Sequence, residues 1–147
     1  MSITQLSPKL WIMAQPDLSA IATLPQQGFA ALINNRPDGE EPGQAGSAAE
    51  AAAAQAAGLS YAHIPVQGLS LTEQDAARFC QEVEAAPGPV VAHCRSGTRS
   101  FLLWVMGGDL GGSSDAEILS RADKAGVKRE LVAPRLAARR AAVAGGR

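Results

Sequence analysis

The stretch from Val90 to Met106 limits the possible folds of this chain more than any other. An apolar segment leads through His93 to Cys94, and a polar loop with one glycine and two arginines then enters the apolar run that begins at Phe101. Strand, polar loop and helix in this order form an anion-binding cradle, because the loop and first-turn N–H groups lack helical partners and lie at the positive end of the helix dipole. Such a cradle favours a cysteine as its thiolate. The stretch therefore predicts a nucleophilic cysteine beside an anion site.

Segments of strand length alternate with helix-like segments along the rest of the chain. The predicted strands are 10–13, 29–33, 61–66 and 90–94, and the predicted helices are 17–26, 47–57, 72–86, 100–107, 114–124 and 130–143. This alternation predicts an α/β fold with a central, mostly parallel sheet of four or five strands flanked by helices. The first strand lies between two prolines and is expected at an edge of the sheet.

Length and charge limit the function classes. The 147 residues predict one domain, 1–147, and the formal net charge of −1 argues against nucleic-acid or anionic-membrane partners. The last 27 residues, with eight basic and two acidic side chains, form either a solvated helix or a docking surface for an acidic partner. The first residues lack the basic start and apolar run of a secretion signal, so a cytoplasmic location with free thiols at Cys80 and Cys94 is expected.

No metal site and no cofactor are predicted. His63 and Cys80 are far apart in the sequence, whereas His93 and Cys94 are adjacent, and structural zinc sites do not use this spacing. Cys80 is expected in the core, with a reversible disulfide to Cys94 as the alternative.

The loop from His93 to Ser100 resembles the active-site loop of cysteine-dependent protein phosphatases, in which a Cys follows a strand and an Arg, then Ser or Thr, ends the loop. Over roughly residues 6–127 the chain also resembles the phosphatase-like domain of the beta-lactamase hydrolase-like protein family. The segments that carry this resemblance are 11–16, 35–40 and 63–66. It implies a protein-tyrosine-phosphatase-like fold with the cysteine loop at the carboxyl end of a central strand.

Two departures from the phosphatase pattern bear on the chemistry. Four residues separate Cys94 from Arg99, where phosphatases have five, and this shorter loop is similar to that of rhodanese-type sulfurtransferases, whose Cys carries a persulfide. Such phosphatases usually take an acidic Asp from the loop after the 63–66 strand, but Gln67 and Gly68 stand here. A positioned general acid contributes about 10² to 10⁴ in rate, whereas sulfur transfer from a low-pKa donor needs no strong acid.

These departures favour a sulfurtransferase in which Cys94 attacks a sulfane donor and carries the sulfur as a persulfide. The alternative is a phosphatase-like hydrolase that forms a phosphocysteine, with Asp38 or water in place of the missing acid. A catalytically silent anion-binding module is the third hypothesis. In each case the expected partner is a small anion such as thiosulfate, a persulfide or a phosphoester.

Four side chains are candidates for the chemistry itself. Cys94 is the nucleophile, although free cysteines also occur as inert core residues. Arg99 is expected to bind two oxygens of the anion through its planar guanidinium; the alternative is a surface salt bridge. Ser100 either caps the following helix or donates to the Cys94 thiolate. Asp38 is the candidate acid, since Glu73 and Asp75 are explained by their place in the first turn of a helix.

A second group of residues is expected to bind the anion or shape its site. Two side chains of this group each have two possible roles. Arg95 points to the pocket rim or away from it, and His93 holds the loop by hydrogen bonds or acts as a base. Gly97 supplies backbone geometry, and two hydroxyl residues supply mainly backbone donors. The complete group is Arg36, which widens the electropositive mouth, with His93, Arg95, Ser96, Gly97 and Thr98.

Overall fold

The computed structural model describes residues 2–146, so Met1 and Arg147, the last member of the basic segment, lie outside the described residues. The strands are β1 (Ile3–Gln5), β2 (Leu10–Met13), β3 (Ala31–Asn34), β4 (Ser60–His63) and β5 (Val90–His93). The helices are α1 (Leu18–Ile21), α2 (Ser47–Ala57), α3 (Glu73–Ala85), α4 (Thr98–Gly107), α5 (Asp115–Ala125) and α6 (Arg129–Gly146). No helix within residues 2–146 has the length and apolar character needed to cross a membrane.

The five strands form one sheet in the order β1-β2-β5-β3-β4. Neighbouring strands from β2 to β4 in this order are parallel, and β1 runs antiparallel to β2. The expectation that the 10–13 strand lies at an edge was therefore wrong. The chain turns back through Ser7, whose hydroxyl accepts from the Leu10 N–H at 3.2 Å, and this turn pairs residues 3–5 with β2.

The burial of the two central strands shows that helices pack on both faces of the sheet. Every residue of β3 and β5 is buried, as expected for strands in a parallel sheet covered on both sides. Helices α3 to α6 pack on one face over a core that includes Phe79, Phe101 and Trp104. Helices α1 and α2 cover the other face, where Ile21, Ala54 and neighbouring apolar side chains pack against the sheet.

Local signals account for most helix boundaries. Thr72 caps α3 in a reciprocal arrangement with Asp75, and left-handed glycines end α2 and α5. The predicted helix 17–26 is shorter: α1 has four residues, and a 3₁₀ turn follows at Pro25–Gln27, because a proline limits helix continuation. Helix α6 extends to both sides of the predicted 130–143 and keeps Pro134 in its second turn.

The parallel arrangement places four loops at one edge of the sheet, since parallel strands end on the same side. Gln15 follows β2, Arg36 follows β3, Val66 follows β4, and Cys94 follows β5 directly. The candidate site is built where these four loops meet.

Candidate active site

Cys94 lies at the start of the polar loop that connects β5 to α4. Its side chain is fully buried, and the Gly97 N–H donates to its Sγ at 3.1 Å. Gly97 has a φ of 97°, a left-handed conformation in which glycine is favoured, and α4 begins at the next residue. The thiol therefore lies at the N-terminus of α4, where backbone N–H groups and the helix dipole favour an anion.

Arg99 projects from the first turn of α4 and is almost fully buried. Its Nη1 and Nη2 donate to the two carboxylate oxygens of Glu40 at 2.7 and 3.0 Å, and Nη1 also donates to the Val66 carbonyl at 2.9 Å. The Glu40 hydrogen bond and the nearby charge of an ionised Cys94 raise the pKa of Arg99. These contacts use the end of the guanidinium, so the edge formed by Nε and the second Nη2 hydrogen remains available to an anion.

Beyond Arg99, arginine and glutamate side chains alternate in a connected series of ion pairs. Arg36 Nε donates to Glu40 Oε1 at 2.9 Å, and its Nη2 donates to Glu41 Oε1 at 2.8 Å. Glu41 Oε2 lies 3.4 Å from the Nη2 of Arg95, whose side chain is 67% exposed. We call this series, Arg99, Glu40, Arg36, Glu41 and Arg95, the arginine–glutamate ladder.

The ladder keeps its carboxyl groups ionised. Arg99, with help from Arg36, lowers the pKa of Glu40 to about 2. The Arg36 hydrogen bond, supported by the charge of Arg95, also lowers the pKa of Glu41. Arg36 itself is only 2% exposed and spends its donors on these two carboxylates and on Gln15, so it adds little net positive charge to the mouth.

A cavity of about 520 Å³ opens over the ladder and the loop. Arg95 lies at its exposed rim, one of the two positions expected for it, and the Ser96 hydroxyl donates to the Thr98 hydroxyl at 3.1 Å. Two leucines, Leu69 and Leu131, supply apolar contact on the cavity wall. The complete lining is Arg36, Glu40, Glu41, Gly68, Leu69, Arg95, Ser96, Thr98, Arg99 and Leu131.

The two other candidate catalytic residues have different surroundings. The buried Ser100 hydroxyl donates to Asn35 Oδ1 at 2.8 Å, so its proton points to the loop after β3. Asp38 is an exposed residue of the loop after β3. Its carboxylate lies beside the start of α2, where it accepts from the Ser47 N–H and hydroxyl, each at 2.7 Å. The Ser47 hydrogen bonds lower the pKa of Asp38, and Asp38 does not line the cavity.

The other thiol lies at the opposite end of α4. Both cysteines are free, and burial raises the pKa of Cys80 to about 11. Cys80 lines a separate cavity beside Gly107 and Gly108, which end α4, whereas Cys94 lies at the start of that helix. A ten-residue helix is about 15 Å long, so the fold keeps the two thiols apart.

Several site residues were not singled out from the sequence. Glu40 and Glu41 lie in the 35–41 loop, where the spacing of Arg36 and Glu40 and the position after a buried strand are usable signals. Glu50 is the one charged residue in the alanine-rich segment 47–57, and it faces the buried His93. No local sequence pattern indicates the role of Gln15, because that role depends on which strand ends lie side by side in the sheet. Within residues 2–146, no three His, Cys, Asp or Glu side chains group as metal ligands.

Comparison with curated proteins gives relatives of much greater length. The chain is 46% identical over 112 residues to the beta-lactamase hydrolase-like protein of Agrobacterium fabrum, which covers 76% of this chain and 26% of that protein. It is 42% identical over 106 residues to the Xylella fastidiosa (strain Temecula1) protein of the same name, covering 72% and 25%. The chain thus spans about a quarter of the length of these relatives.

Solved structures share the fold. A proposed phosphatase from Neisseria meningitidis Z2491 matches with a TM-score of 0.82 and 35% identity, covering 92% of this chain and 96% of that one. A cysteine-to-serine variant of TpbA from P. aeruginosa, solved in complex with pTyr, matches with a TM-score of 0.69 and 18% identity, covering 98% and 91%. At that identity the second match shows the fold alone.

The family itself is defined by a match over most of the chain. Residues 2–111 match the family model described as beta-lactamase hydrolase-like protein, phosphatase-like domain. The cysteine loop, Arg99 and the 35–41 loop all fall inside the matched range. The chain belongs to the phosphatase-like domain family of the beta-lactamase hydrolase-like proteins.

Proposed function

We propose that this chain is a phosphatase that hydrolyses phosphomonoesters through a phosphocysteine on Cys94. The observation that carries the proposal is the meeting of three groups at the N-terminus of α4. The buried Sγ accepts from the Gly97 N–H at 3.1 Å, and Arg99 lies close enough for the ionised thiol to raise its pKa. A nucleophile, loop N–H donors and a guanidinium edge are together what phosphoryl transfer requires.

The reaction consists of two displacements at phosphorus. The Cys94 thiolate attacks the phosphorus, an S–P bond forms, and the bond to the ester oxygen breaks with its electron pair leaving on that oxygen. Water then attacks the phosphocysteine, the S–P bond breaks, and phosphate and the thiolate are released. Arg99 and the loop N–H groups stabilise the charge on the equatorial oxygens in both steps.

The source of the leaving-group proton sets the substrate preference. Asp38, the candidate acid, is held by Ser47, and the carboxylates of Glu40 and Glu41 are held by arginines. A carboxylate that accepts hydrogen bonds in this way has no proton to donate. Water is therefore the proton source in this proposal, and esters with acidic leaving groups, such as aryl phosphates, react fastest.

Sulfur transfer is the second candidate, and the loop length supports it. Four residues lie between Cys94 and Arg99, as in the rhodanese-type pattern. The relatives favour phosphoryl transfer: the matched family is described as a phosphatase-like domain, and the N. meningitidis protein, 35% identical, is a proposed phosphatase. The two candidates differ in what Cys94 carries.

A paired assay tests the proposal. The protein and its Cys94→Ser variant are given an aryl phosphate in one reaction, and thiosulfate with cyanide in another. We expect phosphate release that disappears in the variant, and no thiocyanate. Thiocyanate production that depends on Cys94, without phosphate release, would replace the phosphatase by a sulfurtransferase. No turnover in either reaction, with phosphate still protecting the protein from heat, would indicate a binding module.

A further inference from the structure

A buried hydrogen-bond network lies behind the cysteine loop and takes no part in the proposed chemistry. His93 and Glu50 are 0% and 1% exposed, and His93 Nε2 lies 2.7 Å from Glu50 Oε1. The Gln15 side-chain amide donates to Glu50 Oε2 at 2.8 Å, and its oxygen accepts from Arg36 Nη1 at 3.1 Å. None of His93, Glu50 and Gln15 lines the cavity over the loop. Like Cys94, they lie behind the cavity lining, and His93 and Gln15 contact the loop through its backbone.

Two contacts connect this network to the backbone of the loop. His93 Nδ1 lies 3.0 Å from the Cys94 carbonyl, which can only accept, so Nδ1 carries the hydrogen. The backbone N–H of Gln15 donates to the Arg95 carbonyl at 3.0 Å. In a trans peptide the C=O and the following N–H point in opposite directions, and the described chain has no cis peptide bond. The N–H groups of Arg95 and Ser96 are thereby turned away from His93 and Gln15.

The position of the hydrogen on His93 Nδ1 is set by the partner of the other ring nitrogen, Nε2. With Nδ1–H directed to a carbonyl, one further proton lies between Nε2 and Glu50. Burial would raise the pKa of Glu50, but the hydrogen bond and charge of His93 outweigh burial and lower it. Glu50 is therefore an acceptor that fixes the His93 ring, and Gln15 in turn fixes the Glu50 carboxylate.

We propose that Glu50 and Gln15 are positioning residues of the phosphatase site, which hold two peptide planes of the loop so that their N–H groups face the bound phosphoryl group. Glu50 acts through the His93 ring on the Cys94–Arg95 peptide. Gln15 acts on the Arg95–Ser96 peptide through its own N–H and on Glu50 through its amide. The proposal rests on the function proposed above, because the N–H groups matter only if the loop binds an anion.

A conservative exchange at Glu50 tests the network. In Glu50→Ala, His93 Nε2 and the Gln15 amide both lose their partner. In Glu50→Gln, the amide nitrogen donates to Nε2 of the neutral ring, whose hydrogen stays on Nδ1, and the amide oxygen accepts from the Gln15 amide. In Gln15→Ala, Glu50 loses the amide donor, while the backbone N–H to the Arg95 carbonyl remains.

The experiment measures kcat and KM for an aryl phosphate, and the affinity for inorganic phosphate, in variants shown to be folded by circular dichroism. We expect Glu50→Ala to lower kcat about 10- to 100-fold and Gln15→Ala to lower it less, each with a smaller change in KM, because loop N–H groups bind the transition state most strongly. Glu50→Gln should retain most of the kcat. Glu82→Gln, which removes an exposed carboxylate from α3, is the matched control and should match the unmodified protein.

A folded Glu50→Ala with unchanged kcat and phosphate affinity would overturn the proposal, as would a Glu50→Gln no more active than Glu50→Ala. Should Glu50→Ala fail to fold, Gln15→Ala takes its place: it removes the amide that fixes Glu50 but keeps the N–H to Arg95, and unchanged kcat would overturn positioning of the loop through Glu50. If the unmodified chain hydrolyses no aryl phosphate, the proposed function is refuted, and the positioning proposal is then tested by the affinity for inorganic phosphate alone. Equal phosphate affinity in all variants, or no phosphate binding by the unmodified chain, would overturn the positioning proposal.

Discussion

Arg99 is the residue on which the site depends most directly. Glu40 holds one end of its guanidinium in two hydrogen bonds, and the remaining edge is directed to the thiol region. A planar guanidinium can serve two partners on two edges, whereas an ammonium group offers only a point charge. Glu40 therefore fixes the orientation of Arg99 without using all its donors.

Replacing Arg99 by lysine tests this division. Arg99→Lys keeps the charge but loses the second edge, so we expect kcat for an aryl phosphate to fall about 100-fold. Steady-state kinetics measures the effect, with Arg129→Lys as the matched control because Arg129 pairs with Asp123 on the surface. Equal losses in the two variants would show that the guanidinium geometry of Arg99 has no special part in the reaction.

Asp38 provides a second test at the residue scale. Its carboxylate accepts from the first N–H of α2, one of the N–H groups that a helix leaves without a partner. We expect Asp38→Ala to lower the melting temperature by a few degrees and to leave kcat nearly unchanged. A loss of kcat of about 100-fold with normal stability would instead identify Asp38 as the general acid.

At the scale of elements, the β5–α4 connection sets the geometry of the nucleophile. The strand delivers Cys94, and the left-handed Gly97 turns the chain so that its N–H meets the sulfur before α4 begins. A β-carbon at Gly97 would meet the Met13 carbonyl oxygen at 3.6 Å, an ordinary contact. Backbone conformation rather than space is therefore what excludes other residues here.

Gly97→Ala follows from this geometry. A left-handed alanine costs about 1–2 kcal/mol, so we expect that loss in the free energy of unfolding from urea titration, with a parallel loss of kcat as the loop relaxes. Gly112→Ala is the control, since its backbone is not left-handed and nothing lies within 4 Å of the added carbon. Equal stability of the two variants would contradict the argument.

The elements were predictable wherever a local signal exists. Central strand β5 and the predicted helices 72–86 and 114–124 follow from apolar runs and helix-start signals, and the structure confirms them as β5, α3 and α5. Strand β1 was missed because three partly polar residues become a strand only when β2 lies beside them. The roles of Gln15 and Glu50 were missed for the same reason, as their partners come from other strand ends.

At the scale of the whole molecule, the parallel sheet brings four loops to one edge, and the arginine–glutamate ladder joins two of them. The loop after β3 supplies Glu40, Arg36 and Glu41, and the β5–α4 segment supplies Arg95 and Arg99. Folding and assembly of the site are thus coupled, because the ladder forms only when both loops are in place.

This coupling predicts an acid dependence of stability. The pKa of Glu40 is about 2 in the folded chain, below the ordinary 4.5, so its stabilising effect is complete above pH 4.5 and is lost as the pH falls towards 2. In urea titrations, the stability difference between the unmodified chain and Glu40→Gln should be largest near pH 6 and shrink at pH 3. A difference that stays constant with pH would contradict an ionised, ladder-bound Glu40.

The most direct test of the central claim is the intact mass of the protein after acid quenching during turnover of an aryl phosphate. The proposed mechanism predicts a fraction of the chain heavier by one phosphoryl group, located on the peptide that contains Cys94 and absent in Cys94→Ser. A protein that turns over the substrate with no phosphoryl group on Cys94, or that gains only a sulfur atom there after thiosulfate treatment, would contradict the phosphocysteine mechanism.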